Sequence, residues 1–162
     1  MAEQLGELLS EGLKTGYGSG GERQVVQRGP FQVESTQFTT PDGGLYVDQW
    51  IANNNGGGQE IVQKGDKKST RLHAGGVIEP EELAKLGLTK KDVTGYLKTK
   101  IVELGTQTRL SADCAPQPDE DWQYSYKVMK HLDELDLTIG LESITYKGQI
   151  VFAHGFLNSP VK

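Results

Sequence analysis

Apolar and polar residues alternate along several stretches of the chain, which is the pattern of β-strands that bury one face. Proline, glycine and asparagine separate these stretches, as at Pro41 to Gly44 and at Gly65-Asp66, and they predict turns. The pattern therefore predicts a mostly antiparallel sheet. The predicted strands cover residues 24–39, 45–52, 61–64, 70–73, 122–128, 144–146 and 150–156.

Two segments instead place apolar residues three or four positions apart, which is the spacing of an amphipathic helix. The first runs from Ala2 to Lys14 and stops before the glycine-rich run Gly16 to Gly21, which we expect to break regular structure. The second is a central helical segment at about residues 80–104, in which Thr89 suits the N-cap of the longer helix. Strands, then helices, then strands predict an α+β fold in a single domain spanning residues 1–162.

Composition and charge narrow the classes of partner. The chain has 162 residues and a formal net charge of −5. Nucleic acids and anionic membranes need clustered Lys and Arg, so we expect neither as a partner. The single cysteine, Cys114, cannot form an intramolecular disulfide, and no stretch reaches the roughly 18 to 20 apolar residues of a membrane helix. We therefore expect a soluble, cytoplasmic protein.

The predicted strand at residues 45–52 carries the clearest candidate site. Alternation places Tyr46, Asp48 and Trp50 on one face and Leu45, Val47 and Ile51 on the other. We expect the aliphatic face to join the core and the aromatic face to form a binding surface. An aspartate between two aromatic residues is typical of a pocket wall that stacks a ligand and fixes it with a carboxylate. A solvated aspartate on an exposed strand is the simpler alternative.

Glu60 and His154 complete the set of candidate ligand-binding residues. Glu60 lies beyond the run NNNGGG, which is interpreted as a hairpin loop, and it could face Asp48 across paired strands. His154 alternates with Phe152 and Phe156 on an apolar face, where a buried imidazole needs a hydrogen-bond partner. The three histidines are widely separated, so we predict no metal site and no cofactor.

Three classes of function fit this pattern. The first is a small-molecule-binding or sensing domain that uses the aromatic and acidic strand face. The second is a protein-interaction or homo-oligomerisation module in which the aromatic face pairs subunits, since Tyr and Trp are also interface residues. The third is an acid/base enzyme, a hydrolase or isomerase, with Asp48 or Glu60 as base and His154 as acid. The sequence leaves all three open.

Several of these pieces together resemble a domain-of-unknown-function family that often stands behind a helix-turn-helix module in bacterial regulators. The family pattern Tyr-x-Asp-x-Tyr followed by Gly-x-Glu is matched by Tyr46, Asp48, Trp50, Gly58 and Glu60, with Trp in place of the second Tyr. Its Gly-x-Glu and His-Gly elements are similar to Gly140-Leu141-Glu142 and His154-Gly155. The family has no established activity, but its association with DNA-binding modules implies a sensing or ligand-binding role.

Overall fold

A computed structural model describes residues 2–18, 22–51 and 55–161. Eight strands of this part of the chain form one antiparallel sheet in the order β1-β2-β3-β4-β5-β8-β7-β6. The strands are β1 (Gln24–Arg28), β2 (Phe31–Thr39), β3 (Leu45–Ile51), β4 (Asn55–Lys64), β5 (Lys67–Val77), β6 (Trp122–Leu132), β7 (Leu137–Tyr146) and β8 (Gln149–Val161). The helices are α1 (Ala2–Leu13), followed by a π-helical segment (Lys14–Gly18), α2 (Pro80–Lys85) and α3 (Lys90–Leu104).

The sheet consists of two consecutive meanders. Strands β1 to β5 pair in sequence, and tight turns at Gly29, Gly43 and Gly65 have positive φ, which glycine adopts without strain. The chain then leaves β5, forms α2 and α3, and returns at the far edge as β6. Strand β8 joins the two meanders into one sheet, because it pairs with β5 on one side and with β7 on the other.

The helices confirm the predicted helical segments. Thr89 caps α3 by accepting the backbone N–H of Asp92, and the Asp92 carboxylate accepts the backbone N–H of Thr89, which completes a capping box. The helix ends at Gly105. None of the helices in the described ranges is long and apolar enough to cross a membrane. The sheet dominates the architecture, so the fold is a sheet-rich form of the expected α+β class rather than a balanced one.

The helices cover one face of the sheet, and this face decides where the core lies. Helix α1 packs over β3 and β4, and Gly12 stands directly against the ring of Tyr46, which is fully buried. The prediction that the aliphatic face of β3 joins the core is therefore wrong. Leu45, Val47 and Ile51 lie half-buried on the opposite, open face of the sheet. Alternation defines two faces, but only helix packing determines which one is covered.

The open face is unusually apolar. Leu72, Leu157 and Ile139 lie side by side on β5, β8 and β7, and Leu141 follows Ile139 on the same face. Ile61, Leu72, Ile139 and Leu141 are each between 37% and 43% exposed. Contiguous exposed apolar side chains of this kind often mark an interaction surface.

Several predicted boundaries move. The stretch 24–39 is divided by a turn at Gly29-Pro30 into two strands, and Asn55 to Gly58 already belong to β4 rather than to a loop. Gly16 to Gly18 continue the π-helical segment, whereas residues 19–21 lie outside the described residues. Ile150 leaves the face of Phe152 because a bulge shifts the β7–β8 register at this point, and it is exposed.

Candidate functional site

A cavity of about 330 Å³ lies between the helix-covered face of the sheet and the helices. Its sheet wall comes from β3, β4, β5 and β8, and its other wall comes from the end of α1, the π-helical segment and α3. The volume falls in the range of small-molecule sites. The titratable groups at its inner wall are Asp48, Glu60, His73, Arg109 and His154.

Strand register explains why these side chains meet. Asp48 on β3 pairs with Glu60 on β4, and Glu60 pairs in turn with Arg71 on β5, which gives a row of charged residues across three strands. The neighbouring row contains Trp50, Gly58 and His73. Cross-strand partners on one face have Cβ atoms only about 5 Å apart, so each row forms a continuous strip of the wall.

Glu60 is fully engaged by its neighbours. Arg71 donates Nη2–H to Oε1 at 2.6 Å and Nε–H to Oε2, and the Tyr46 hydroxyl donates to Oε1 at 2.9 Å. Burial acts to raise the pKa of Glu60, but the charge and hydrogen bonds of Arg71 outweigh it and hold the pKa at about 2. Glu60 is therefore an ionised, fully partnered carboxylate that orders the wall.

A second buried ion pair stands on the β7 side of the cavity. Arg109 donates Nε–H and Nη2–H to the two oxygens of Glu142, at 2.7 and 2.6 Å. The backbone of Arg109 has a φ of 62°, which is uncommon for a non-glycine residue. Its carbonyl accepts a hydrogen bond from Arg71 Nη1 at 3.1 Å, so the two ion pairs hold each other in place.

Asp48 differs from both of these carboxylates because one of its oxygens has no hydrogen-bond partner. Its side chain is buried with only 4% of the residue exposed, and Oδ1 accepts no hydrogen bond within the described residues. The imidazole Nε2 of His73 lies 3.7 Å from Oδ1, which is longer than a hydrogen bond. Burial raises the pKa of Asp48, and the charge of Glu60 adds to this effect against the opposing influence of His73 and Arg71.

His73 is the second group with an unused polar atom. Its Nδ1 is buried and has no hydrogen-bond partner among the described residues. Gly58 makes room for the ring, because a Cβ at that position would lie 2.8 Å from Nε2. Two neighbouring residues of the cavity wall, Asp48 and His73, therefore each have a buried polar atom without a partner among the described residues. Such atoms are rare in folded proteins, and Oδ1 of Asn158, outside the cavity lining, is a third one.

His154 and Trp50 form other parts of the wall. The His154 ring lies 4.6 Å from the centroid of Phe152 and 5.5 Å from that of His73. Burial, followed by the charge of Arg109, lowers the pKa of His154 to about 4, so the imidazole is neutral at physiological pH. Trp50 is half-buried, and the guanidinium of Arg23 lies 5.5 Å from its ring centroid.

The structure brings four of the five predicted site residues to one cavity. Asp48, Trp50, Glu60 and His154 line it, whereas Tyr46 lies behind the wall, where its hydroxyl supports Glu60.

Sequence reasoning missed the roles of Arg71, His73, Arg109 and Glu142. Counting outward from the Gly65-Asp66 turn, with Lys64 opposite Lys67, places Arg71 opposite Glu60 and His73 opposite Gly58, so the first two could have been found. Arg109 follows α3 in an irregular segment, and its position against β7 has no sequence signal.

The part of the chain that the structure describes contains no group of three or more His, Cys, Asp or Glu side chains arranged to hold a metal ion. No known family model matches the chain, and neither a curated protein nor a solved structure is detectably similar to it. The resemblance to a family of regulator-associated domains therefore stays a prediction.

Proposed function

We propose that this protein is a small-molecule-binding domain whose ligand occupies the cavity between the sheet and the helices. One observation carries the proposal: Asp48 and His73 line a cavity of about 330 Å³, and each has a buried polar atom without a hydrogen-bond partner among the described residues. A buried polar group without a hydrogen-bond partner lowers the stability of the fold by about 1 to 3 kcal/mol. A ligand that forms the missing hydrogen bond removes this penalty, and the gain contributes to its affinity.

The surroundings of Asp48 support a recognition role over a purely structural one. A structural carboxylate in a core normally has a partner, as Glu60 has in Arg71 and Glu142 has in Arg109. These two ion pairs fix the wall rigidly around Asp48, and a rigid wall reduces the entropy lost on binding. The cavity also has apolar surface from Leu13, Leu97 and Phe152, which would bury the body of a ligand.

The proposal is tested by a thermal-shift screen of metabolites, nucleotides and sugars against the purified protein. A ligand at about 100 times its dissociation constant adds about 2.7 kcal/mol to the free energy of unfolding, a visible shift in Tm. We expect a hit that is lost in Asp48→Asn and in Thr94→Phe, which fills the cavity from α3. The control is Asp66→Asn, an exposed carboxylate on the turn between β4 and β5 and outside the cavity lining. A hit unchanged in both cavity variants would contradict the proposed site.

An acid/base enzyme is less well supported by the residues first suggested for it. Glu60 has both oxygens engaged and a pKa of about 2, and His154 is neutral near pH 7, so neither suits the base or acid role assigned to it. Among the described residues that line the cavity, Asp48 and His73 are the two that have a buried polar atom without a hydrogen-bond partner. A binding site needs nothing more than these atoms, and we therefore place binding first.

A second candidate function, self-association, is favoured by the apolar open face of the sheet. The aromatic residues Tyr46 and Trp50 point to the covered face, so they do not suit subunit pairing, whereas Leu72, Ile139 and Leu141 are exposed together. Sedimentation velocity of the wild-type protein and of Leu72→Lys tests this. A concentration-dependent dimer that Leu72→Lys converts to a monomer supports the candidate, and a monomeric wild-type protein contradicts it.

A further inference from the structure

We infer that the cavity selects a ligand with a flat, positively charged nitrogen head group, an amidinium or guanidinium, that binds against Asp48 and His73. This inference rests on the proposed binding function and specifies the chemical class of ligand.

On the sheet side of the cavity, one carboxylate lacks a guanidinium partner among the described residues. Glu60 is neutralised by Arg71, and Arg109 is neutralised by Glu142. Arg23 is paired with Glu34, and the α3 side of the cavity adds Lys90 and Lys98, the second of which lies 5.0 Å from the ring centroid of Tyr17. The carboxylate without a guanidinium partner is Asp48, and the charges that act on it most strongly come from Glu60, His73 and Arg71. A ligand cation placed against Asp48 would therefore meet an attractive charge in a low-dielectric site.

The unused hydrogen-bonding atoms also call for donors. When the His73 imidazole is neutral, its hydrogen belongs on Nε2, which faces Asp48 at 3.7 Å, because a lone pair there would face an anion. Nδ1 is then an acceptor, and the ionised Asp48 Oδ1 is an acceptor as well. These two acceptors belong to neighbouring side chains, and each of them matches an N–H donor of a head group that carries several N–H bonds. Amidinium and guanidinium groups present parallel N–H donors in a fixed plane, which is the geometry that carboxylates bind best.

Glycines and planar rings form the wall beside these acceptors. Gly58 separates Trp50 from His73 in their cross-strand row, and Gly56 pairs with Gly75 in the next row. The rings of His73 and His154 lie against Gly58 and Gly75. A side chain at Gly58 could not be added without displacing His73. Trp50 borders this surface with an aromatic ring of the kind that attracts cations. A planar head group can therefore lie on the sheet and reach Asp48 edge-on.

The experiment compares three probes of nearly equal shape that differ in charge: benzamidine, benzamide and benzoate. Binding to the wild-type protein is measured by calorimetry and by NMR shifts of the His73 imidazole. We expect benzamidine to bind about 10- to 100-fold more tightly than either of the other probes, as a charged hydrogen-bonded pair in a buried site requires. Asp48→Asn should remove this preference, Thr94→Phe should weaken binding of benzamidine, and Asp66→Asn, on the exposed turn between β4 and β5, should leave it unchanged.

Equal or tighter binding of benzamide or benzoate overturns the inference, as does benzamidine binding that Asp48→Asn leaves intact. Absence of benzamidine binding at millimolar concentration also overturns it. The proposed function is judged separately by the wider screen. A neutral or anionic hit that Thr94→Phe removes would keep the binding domain and reject the cationic ligand, whereas a screen without any hit would reject both.

Discussion

Two carboxylates that are neighbours across strands, Asp48 and Glu60, are expected to affect stability in opposite directions when their charge is removed. In the buried carboxylate of Asp48, Oδ1 accepts no hydrogen bond among the described residues, whereas both oxygens of the buried Glu60 carboxylate accept hydrogen bonds, from Arg71 and Tyr46. The matched substitutions are Asp48→Asn and Glu60→Gln, which keep the shape of each side chain and replace one oxygen by an amide group. The same chemical change thus tests two different environments.

The expected magnitudes follow from these environments. A buried polar group without a partner costs about 1 to 3 kcal/mol, and part of this cost stays with the amide, so Asp48→Asn should stabilise the protein by about 1 to 2 kcal/mol. A chain of this size gains about 2 to 4 °C in Tm per kcal/mol. Glu60→Gln leaves Arg71 as a buried cation without its counter-charge, so we expect a loss of about 3 to 5 kcal/mol.

The pH dependence gives the sign of each effect independently. The pKa of Asp48 is raised on folding, so the folded state holds this proton more tightly and the cost of the charge grows as the pH rises. The advantage of Asp48→Asn should therefore be largest near neutral pH and disappear in acid. The pKa of Glu60 is lowered from 4.5 to about 2, so its stabilisation is present above 4.5 and is lost as the pH falls toward 2.

Urea denaturation followed by tryptophan fluorescence, at about pH 7 and about pH 4, measures both effects. Asp66→Asn on the exposed turn between β4 and β5 is the control, with an expected change below about 0.5 kcal/mol. A destabilisation by Asp48→Asn comparable to that of Glu60→Gln would refute the reasoning. It would mean that Asp48 has a stabilising partner in the folded protein, and the case for an unfilled binding site would be lost.

Three further predictions concern packing, titration and capping. Gly12→Ala should lower the free energy of unfolding by about 3 kcal/mol, because the added Cβ would overlap the buried Tyr46 ring. Gly95→Ala, which adds its Cβ in open space on α3, should raise the free energy of unfolding by up to about 1 kcal/mol, and urea denaturation measures both variants. The His154 imidazole should titrate with a midpoint near 4 by NMR, and a midpoint near 6.5 would contradict its burial. Because the pKa of His154 is lowered on folding, its contribution to stability should fall as the pH drops from 6.5 toward 4. Thr89→Ala should destabilise the protein by about 1 kcal/mol through loss of the capping box, and an unchanged thermal unfolding midpoint would show that the cap is dispensable.

Local patterns in the sequence predicted most of the secondary structure. The capping pair Thr89 and Asp92, the apolar spacing in α1 and the Gly65-Asp66 turn each act over a few residues, so the sequence carries their information directly. Alternation likewise placed Tyr46, Asp48 and Trp50 on one face. Boundaries were less accurate where a glycine run could serve either as a turn or as strand, as at Asn55 to Gly58, because glycine adopts both conformations.

The meeting of the site residues required long-range register. Asp48 and Glu60 come from one hairpin, but His154 reaches the cavity only because β8 returns from the far meander to pair with β5. That pairing joins residues 75 to 93 positions apart, and alternation along a strand does not encode which strand will be its neighbour. The ion pair of Arg109 and Glu142 has the same origin, since an irregular segment carries Arg109 to β7.

The sequence by itself determined which residues share a strand face and where helices begin and end, because these properties depend on neighbours within one or two turns of chain. Only the tertiary structure decided that the face with Asp48 lies beneath the helices and that the face with Leu72 stays open. It also decided that Glu60 forms a bidentate ion pair with Arg71, while Oδ1 of Asp48 accepts no hydrogen bond among the described residues. The physical reason is that burial and pairing of charge depend on packing between distant segments, and two carboxylates of similar sequence context acquire different chemistry from it.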